Sequence, residues 1–159
     1  MFMLAQLTKL LLPTRCVLCQ ELGPEVLCAG CAKGLQPILP DHCTRCGRLR
    51  RTSFASPDCG ECHGQTIGVI RARSAFVYNE PARTLLGEFK FRRHIGSGEE
   101  LIQRALGTLG ANAASLYSTP ELKFDHVIPV PLHSARLRER RFNQSEFIAQ
   151  RLARHFKAP

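Results

Sequence analysis

The spacing of apolar residues changes period several times along the chain. Leu4, Leu7, Leu11 and Leu12 recur at helical intervals, so residues 1–13 predict a short amphipathic helix stopped by Pro13. From residue 14 to 64 apolar periodicity gives way to cysteine pairs and turn residues, with Leu35, Ile38 and Leu39 placed to pack two halves together. Residues 67–78 alternate: Ala72, Ser74, Phe76 and Tyr78 against Arg71, Arg73, Ala75 and Val77. This pattern predicts one or two strands. A turn at Asn79-Glu80-Pro81 opens a helix over 82–91 that buries Leu85, Leu86 and Phe89. Ser97 is placed to cap a further helix, with Glu99 and Glu100 in its first turn and Leu101, Ile102, Ala105, Leu106 and Leu109 inward. The run 124–131, FDHVIPVP, predicts a short buried strand, and 142–156 a last helix with Phe147, Ile148, Leu152 and Phe156 inward.

All eight cysteines fall in four Cys-x-x-Cys pairs: Cys16/Cys19, Cys28/Cys31, Cys43/Cys46 and Cys59/Cys62. A tight knuckle turns two such sulfurs toward one ion, and two knuckles complete a four-thiolate zinc site. Eight residues separate Cys19 from Cys28 and twelve separate Cys46 from Cys59, so sequential pairing is favoured. That groups Cys16, Cys19, Cys28 and Cys31 on one zinc ion and Cys43, Cys46, Cys59 and Cys62 on a second; spacing leaves an interleaved pairing open. His42 and His63 adjoin ligand cysteines but are not needed with eight thiols present. A disulfide framework, a redox dithiol and an iron–sulfur cluster are the competing uses of such cysteines. Residues 1–12 have no basic start and no small-residue cleavage site, and Lys9 interrupts them, so they do not read as a secretion signal. They are also too short to span a bilayer. A cytoplasmic, reducing location follows, and with it zinc rather than disulfides.

In 159 residues, a cysteine-rich unit of this size holds too little apolar surface to fold without metal, and the rest approaches the size at which a core suffices. The formal charge of +9 falls to about +5 once eight thiolates and two zinc ions are counted. A moderate basic excess suits a phosphate-bearing partner. Candidate nucleic-acid contacts are Arg48, Arg50 and Arg51, and Lys90, Arg92 and Arg93 around Phe91, where bases could mix phosphate contact with stacking. Arg136, Arg138 and Arg140 follow a proline-stiffened strand end, and their forked guanidinium groups match phosphate or pyrophosphate oxygens. No phosphate-binding glycine loop, nucleophile elbow or metalloprotease histidine pair is present.

The stretch VIPVPLHSARLRERRFNQSEFIAQRLA, with the cysteine pairs before it, resembles the ComF family, and the resemblance covers nearly the whole chain. It implies an α/β, type I phosphoribosyltransferase-like domain over 66–159, preceded by a double zinc ribbon over 14–64. It also implies a role in DNA uptake, with proteins of DNA uptake as partners, and puts Arg136, Arg138 and Arg140 where such folds approach pyrophosphate. Two departures stand out. The family usually has glycine where this chain has Arg141, so a left-handed backbone there would carry strain. The family's Asp-Asp and Thr-Thr-Gly segment, which holds phosphoribosyl diphosphate, has no counterpart here. The expectation is therefore a fragment, inactive as a transferase, with the faces of Val127, Val130, Phe147 and Leu152 poorly covered. A non-catalytic zinc-ribbon module that binds single-stranded DNA or docks a protein is the alternative.

Overall fold

The computed structural model describes residues 14–38, 42–49, 56, 58–66, 68, 71–111 and 124–158. The helix expected over 1–13 lies outside them, as do Leu39, Arg50 and Arg51. The described residues begin with an antiparallel hairpin, β1 (Thr14–Arg15) and β2 (Leu22–Gly23), in the register Thr14↔Gly23 and Arg15↔Leu22. A single helical turn, α1 (Ala29–Ala32), follows, and Cys28 caps it by accepting from the Cys31 N–H. The pair His42↔Leu49 then closes a second small hairpin.

The helical part holds α2 (Glu80–Phe91), α3 (Ile95–Ala111), α4 (Ser134–Arg140) and α5 (Gln144–Phe156). Local chemistry explains why α2 starts where it does. Asn79 accepts from the Ala82 N–H, Pro81 tolerates the first turn, and Glu80 meets the helix dipole. The Asn79 amide also donates to Gly34 O at 2.8 Å, which ties the helix to the ribbon. The core is shared between the two parts: Leu27, Leu35 and Cys16 pack with Ala82, Leu85 and Leu101. The first ribbon is therefore seated on α2 and α3.

Several expectations change here. The strand expected over 67–78 is reduced, among the described residues, to one bridge, Pro37↔Phe76, flanked by Ile38 N–H to Ala75 O and Val77 N–H to Gln36 O. Residues 124–131 form no strand, and Ile128 and Val130 are 82% and 72% exposed rather than buried. A strand exists only by pairing; Pro129 and Pro131 donate no hydrogen bond, and no described edge lies beside them. The sheet of the expected α/β domain is thus absent among the described residues, whose regular elements beyond residue 79 are all helices. Of the four residues expected to be poorly covered, Val130 is exposed, and Val127, Phe147 and Leu152 are half-buried.

Ser97 does not cap α3. It lies inside the first turn, fully buried, with its hydroxyl 2.7 Å from His94 Nδ1. His94 takes the capping role, its Nδ1 accepting from the Ser97 N–H. The cause is Gly98: a Cβ there would lie 2.5 Å from the Phe89 ring, so the bare backbone of this turn is packed under that ring. Phe89 also meets Phe142 and Phe147, with ring centroids 5.3 and 5.2 Å away. Arg151 of α5 bonds Glu99 of α3 at 2.6 Å and lies 3.3 Å over the Phe147 ring. That guanidinium holds the Glu99 carboxyl below its usual range.

Arg141 ends α4 in the left-handed region, at φ 61° and ψ 8°, with its N–H bonded to Leu137 O. A side chain with a Cβ is disfavoured there by about 1 kcal/mol or more, and glycine is not. Arg141→Gly is expected to stabilise the protein by about 0.5–1 kcal/mol. A urea unfolding midpoint at saturating zinc measures it, and an unchanged or lower midpoint contradicts the strain.

Candidate metal centres

Each cysteine cluster is built from two knuckles. In the first, the Gln20 N–H returns to Cys16 O (2.8 Å) and the Cys16 N–H bonds Glu21 O (2.9 Å). In the third, the Gly47 N–H returns to Cys43 O (3.0 Å) and the Cys43 N–H bonds Arg48 O (2.8 Å). The two turns repeat each other position by position, down to a positive φ at Gln20 (64°) and Gly47 (70°). Gly47 is required for a second reason: a Cβ would sit 2.5 Å from Ala72 O. The other two knuckles carry matching returns, Ala32 N–H to Cys28 O and His63 N–H to Cys59 O, both 2.9 Å.

These turns gather Cys16, Cys19, Cys28 and Cys31 into one cluster and Cys43, Cys46, Cys59 and Cys62 into another. Within each, all four sulfurs lie within 4.8 Å of one another. Four sulfurs at about 2.3 Å around a tetrahedral zinc stand about 3.8 Å apart. Cys19 and Cys28 Sγ are 3.7 Å apart, and Cys46 and Cys59 Sγ 3.8 Å. The donor sets therefore fit two zinc ions, and none of the eight cysteines is in a disulfide. Neither His42 nor His63 belongs to a cluster.

Backbone N–H groups already aim at the sulfurs. The Cys28 N–H bonds Cys16 Sγ (3.5 Å), and the Cys59 N–H bonds Cys43 Sγ (3.2 Å). Burial pushes the Cys16 and Cys43 thiols up, but N–H groups of Cys19, Cys28 and Leu18, and of Cys46, Cys59 and Arg45, outweigh it. Both settle at about 6. The last cysteine of each cluster moves the other way, to about 12. Hydrogen bonding to Cys28 and Cys19 leads the rise at Cys31, and burial followed by Cys59 leads it at Cys62. One sulfur in each cluster is thus ready as a thiolate, and another holds a proton that zinc must displace.

A family model of the double zinc ribbon domain matches residues 7–63, which takes in both clusters. Beyond the ribbon, similarity continues along most of the chain. "Competence protein F" of Haemophilus influenzae is 29% identical over 150 residues, covering 91% of this chain and 62% of that protein. "Competence protein ComFC" of Bacillus subtilis is 28% identical over 133 residues, covering 82% of this chain and 52% of that protein. These similarities agree with the resemblance to the ComF family. The chain spans less than two thirds of the length of either curated relative. No solved structure matches it. No helix among its described residues is long and apolar enough to cross a membrane.

The basic candidates fall in different settings. Arg48 lies at the second metal centre, paired with Glu61, which raises its basicity. Lys90 is half-buried on α2, Arg92 pairs with Glu88 (3.0 Å), and Arg93 is exposed at the α2–α3 turn. Arg136 pairs with Glu139 (2.9 Å), and Arg138 is exposed on α4. Arg140 is different: its guanidinium lies over the Phe91 ring, 4.9 Å from the centroid. That contact brings the end of α4 to the end of α2.

The residues around the second centre were not legible in advance. Arg45 pairs with Asp58 (3.7 Å) and donates to Cys62 O (3.4 Å), and Arg73 donates to Thr44 O (2.8 Å). Their role depends on contacts across 17 and 29 residues, which no local spacing announces.

Proposed function

We propose that this chain serves DNA uptake or processing as a phosphoribosyltransferase homologue of the ComF family, located in the cytoplasm, and that it contacts single-stranded DNA. The names of both relatives support the competence role. The contact between Arg140 and Phe91 carries the DNA reading. It joins two basic stretches far apart in sequence, 90–93 and 136–140, beside an aromatic ring that is 64% exposed. A face of this kind offers bases a stacking surface and phosphates several guanidinium groups. Arg136, Arg138 and Arg140 would turn to the pyrophosphate of phosphoribosyl diphosphate; support for that comes from the resemblance alone.

Oligo-dT binding to the zinc-loaded chain tests the reading by fluorescence anisotropy across a salt series. Binding at low salt that falls linearly in log–log form is expected. Phe91→Ala should cost about 1–3 kcal/mol, as stacking on one base does. Arg138→Ala should weaken all sequences alike and reduce the salt slope by about one. Undetectable binding at low ionic strength, or binding indifferent to both substitutions, contradicts the proposal.

The ribbon as a protein-docking module is the second reading. Leu22 and Leu49 occupy the same position after their knuckles, and both are exposed large apolar residues.

A further inference from the structure

The two metal centres share one backbone design but differ in what surrounds the sulfur. Glu21 and Arg48 stand at the same knuckle position, each with its carbonyl bonded to the N–H of the leading cysteine. At the first centre this position puts a carboxylate 3.6 Å from Cys19 Sγ. At the second it puts a guanidinium in the field of Cys46 and Cys59. Arg45 and Arg73 add donors around the second centre, opposite Asp58 and Glu61. Cys19 is also the one cysteine of the eight that is exposed; its counterpart Cys46 is half-buried.

A four-thiolate zinc centre carries two net negative charges. A carboxylate beside a bound sulfur raises its energy and nucleophilicity, and nearby arginines lower both. We propose that Cys19 is a modification site: the reactive sulfur of the first centre, attacked ahead of the others by hydroperoxides, so that the first centre releases its zinc before the second. This goes beyond the proposed DNA role and does not depend on it.

The chemistry balances with the peroxide as oxidant. The Cys19 thiolate attacks one peroxide oxygen, the O–O bond breaks, and a sulfenic acid forms as hydroxide leaves and takes a proton from solvent. Cys28 Sγ, 3.7 Å away, attacks the sulfenyl sulfur; the S–S bond forms, the S–O bond breaks, and a second hydroxide is protonated. Two thiolates lose two electrons, hydrogen peroxide becomes two waters, and only Cys16 and Cys31 of the cluster would remain able to hold zinc. Because Cys16 is packed with Leu27, Leu85 and Leu101, the event would loosen the seat of the ribbon on α2 and α3.

The test treats the zinc-loaded chain with limiting hydrogen peroxide, follows zinc with a chromogenic chelator, and maps oxidised cysteines by peptide mass spectrometry. Two phases are expected, the faster releasing one zinc per chain and yielding a Cys19–Cys28 disulfide while the second cluster stays reduced. Glu21→Gln, at an exposed position, should slow the fast phase roughly fivefold, the effect of one unit charge a few ångströms away in water. Arg48→Gln, which also removes one unit charge, should speed the slow phase by a similar factor. Release of both ions in one phase, earlier release from the second centre, or a fast phase unchanged in Glu21→Gln overturns the proposal.

Discussion

Removing both zinc ions is expected to unfold the ribbon and loosen the helices seated on it. Apparent zinc-binding free energies of small structural sites are about 10–16 kcal/mol at neutral pH, more than such a unit could gain from its own core. The described hairpins are only two residues per strand or a single bridge, so their geometry is held by the sulfurs rather than by a ladder. The two centres should differ in reach. Cys16 is buried in the shared core with Leu85 and Leu101, so Cys16→Ser should lose one zinc and expose amides of α2 and α3 to exchange. Cys43→Ser should lose one zinc with protection of α2 retained. Hydrogen exchange with metal analysis reads both. Equal loss of helix protection in the two variants would contradict the packing. Acid should act as chelation does, because protons compete for the same sulfurs: Cys31 and Cys62, held at about 12 without metal, must each give up a proton to bind zinc. Zinc affinity is therefore expected to fall as pH falls.

Phe89→Ala is the second substitution with a large expected effect. The side chain is fully buried and touches three elements: the backbone of α3 at Gly98, the ring of Phe142, and the ring of Phe147 on α5. Truncating a buried phenylalanine typically costs about 3–5 kcal/mol, from lost transfer energy and the cavity left behind. Gly98 approaches the ring without a side chain of its own, so it cannot fill that cavity. A denaturant midpoint at saturating zinc keeps the metal contribution constant while the change is read. A loss under about 1 kcal/mol would mean that the aromatic cluster does not hold α5 in place. Gly98→Val approaches the same contact from the opposite side, by overpacking, at about 1–3 kcal/mol.

Which features were legible beforehand follows the range of the interactions that make them. The cysteine spacing pointed to two four-sulfur clusters, and the structure gathers the sulfurs in sequential order, because a knuckle is closed by hydrogen bonds spanning four or five residues. The helices at 80–91, 95–111 and 144–156 fall close to where their caps and apolar spacing put them. The strain expected at Arg141 is present, since a left-handed helix end is a local matter. Among the described residues, the strands expected at 67–78 and 124–131 fall short for the opposite reason: apolar alternation marks a chain able to join a sheet, but a strand needs a partner. Ser97 was misplaced because Phe89, eight residues earlier, covers the turn it was expected to cap.

The four cysteine pairs and their grouping into two metal centres are therefore written in the order of residues, where short-range backbone bonding and side-chain chemistry suffice. Folding alone decides that Arg140 reaches Phe91, that Cys16 lies in the core of the helices, and that Glu21 and Arg48 hold one shared knuckle position with opposite charge, Glu21 against Cys19 Sγ. Each of these joins groups through space, across turns whose geometry follows from packing and not from spacing.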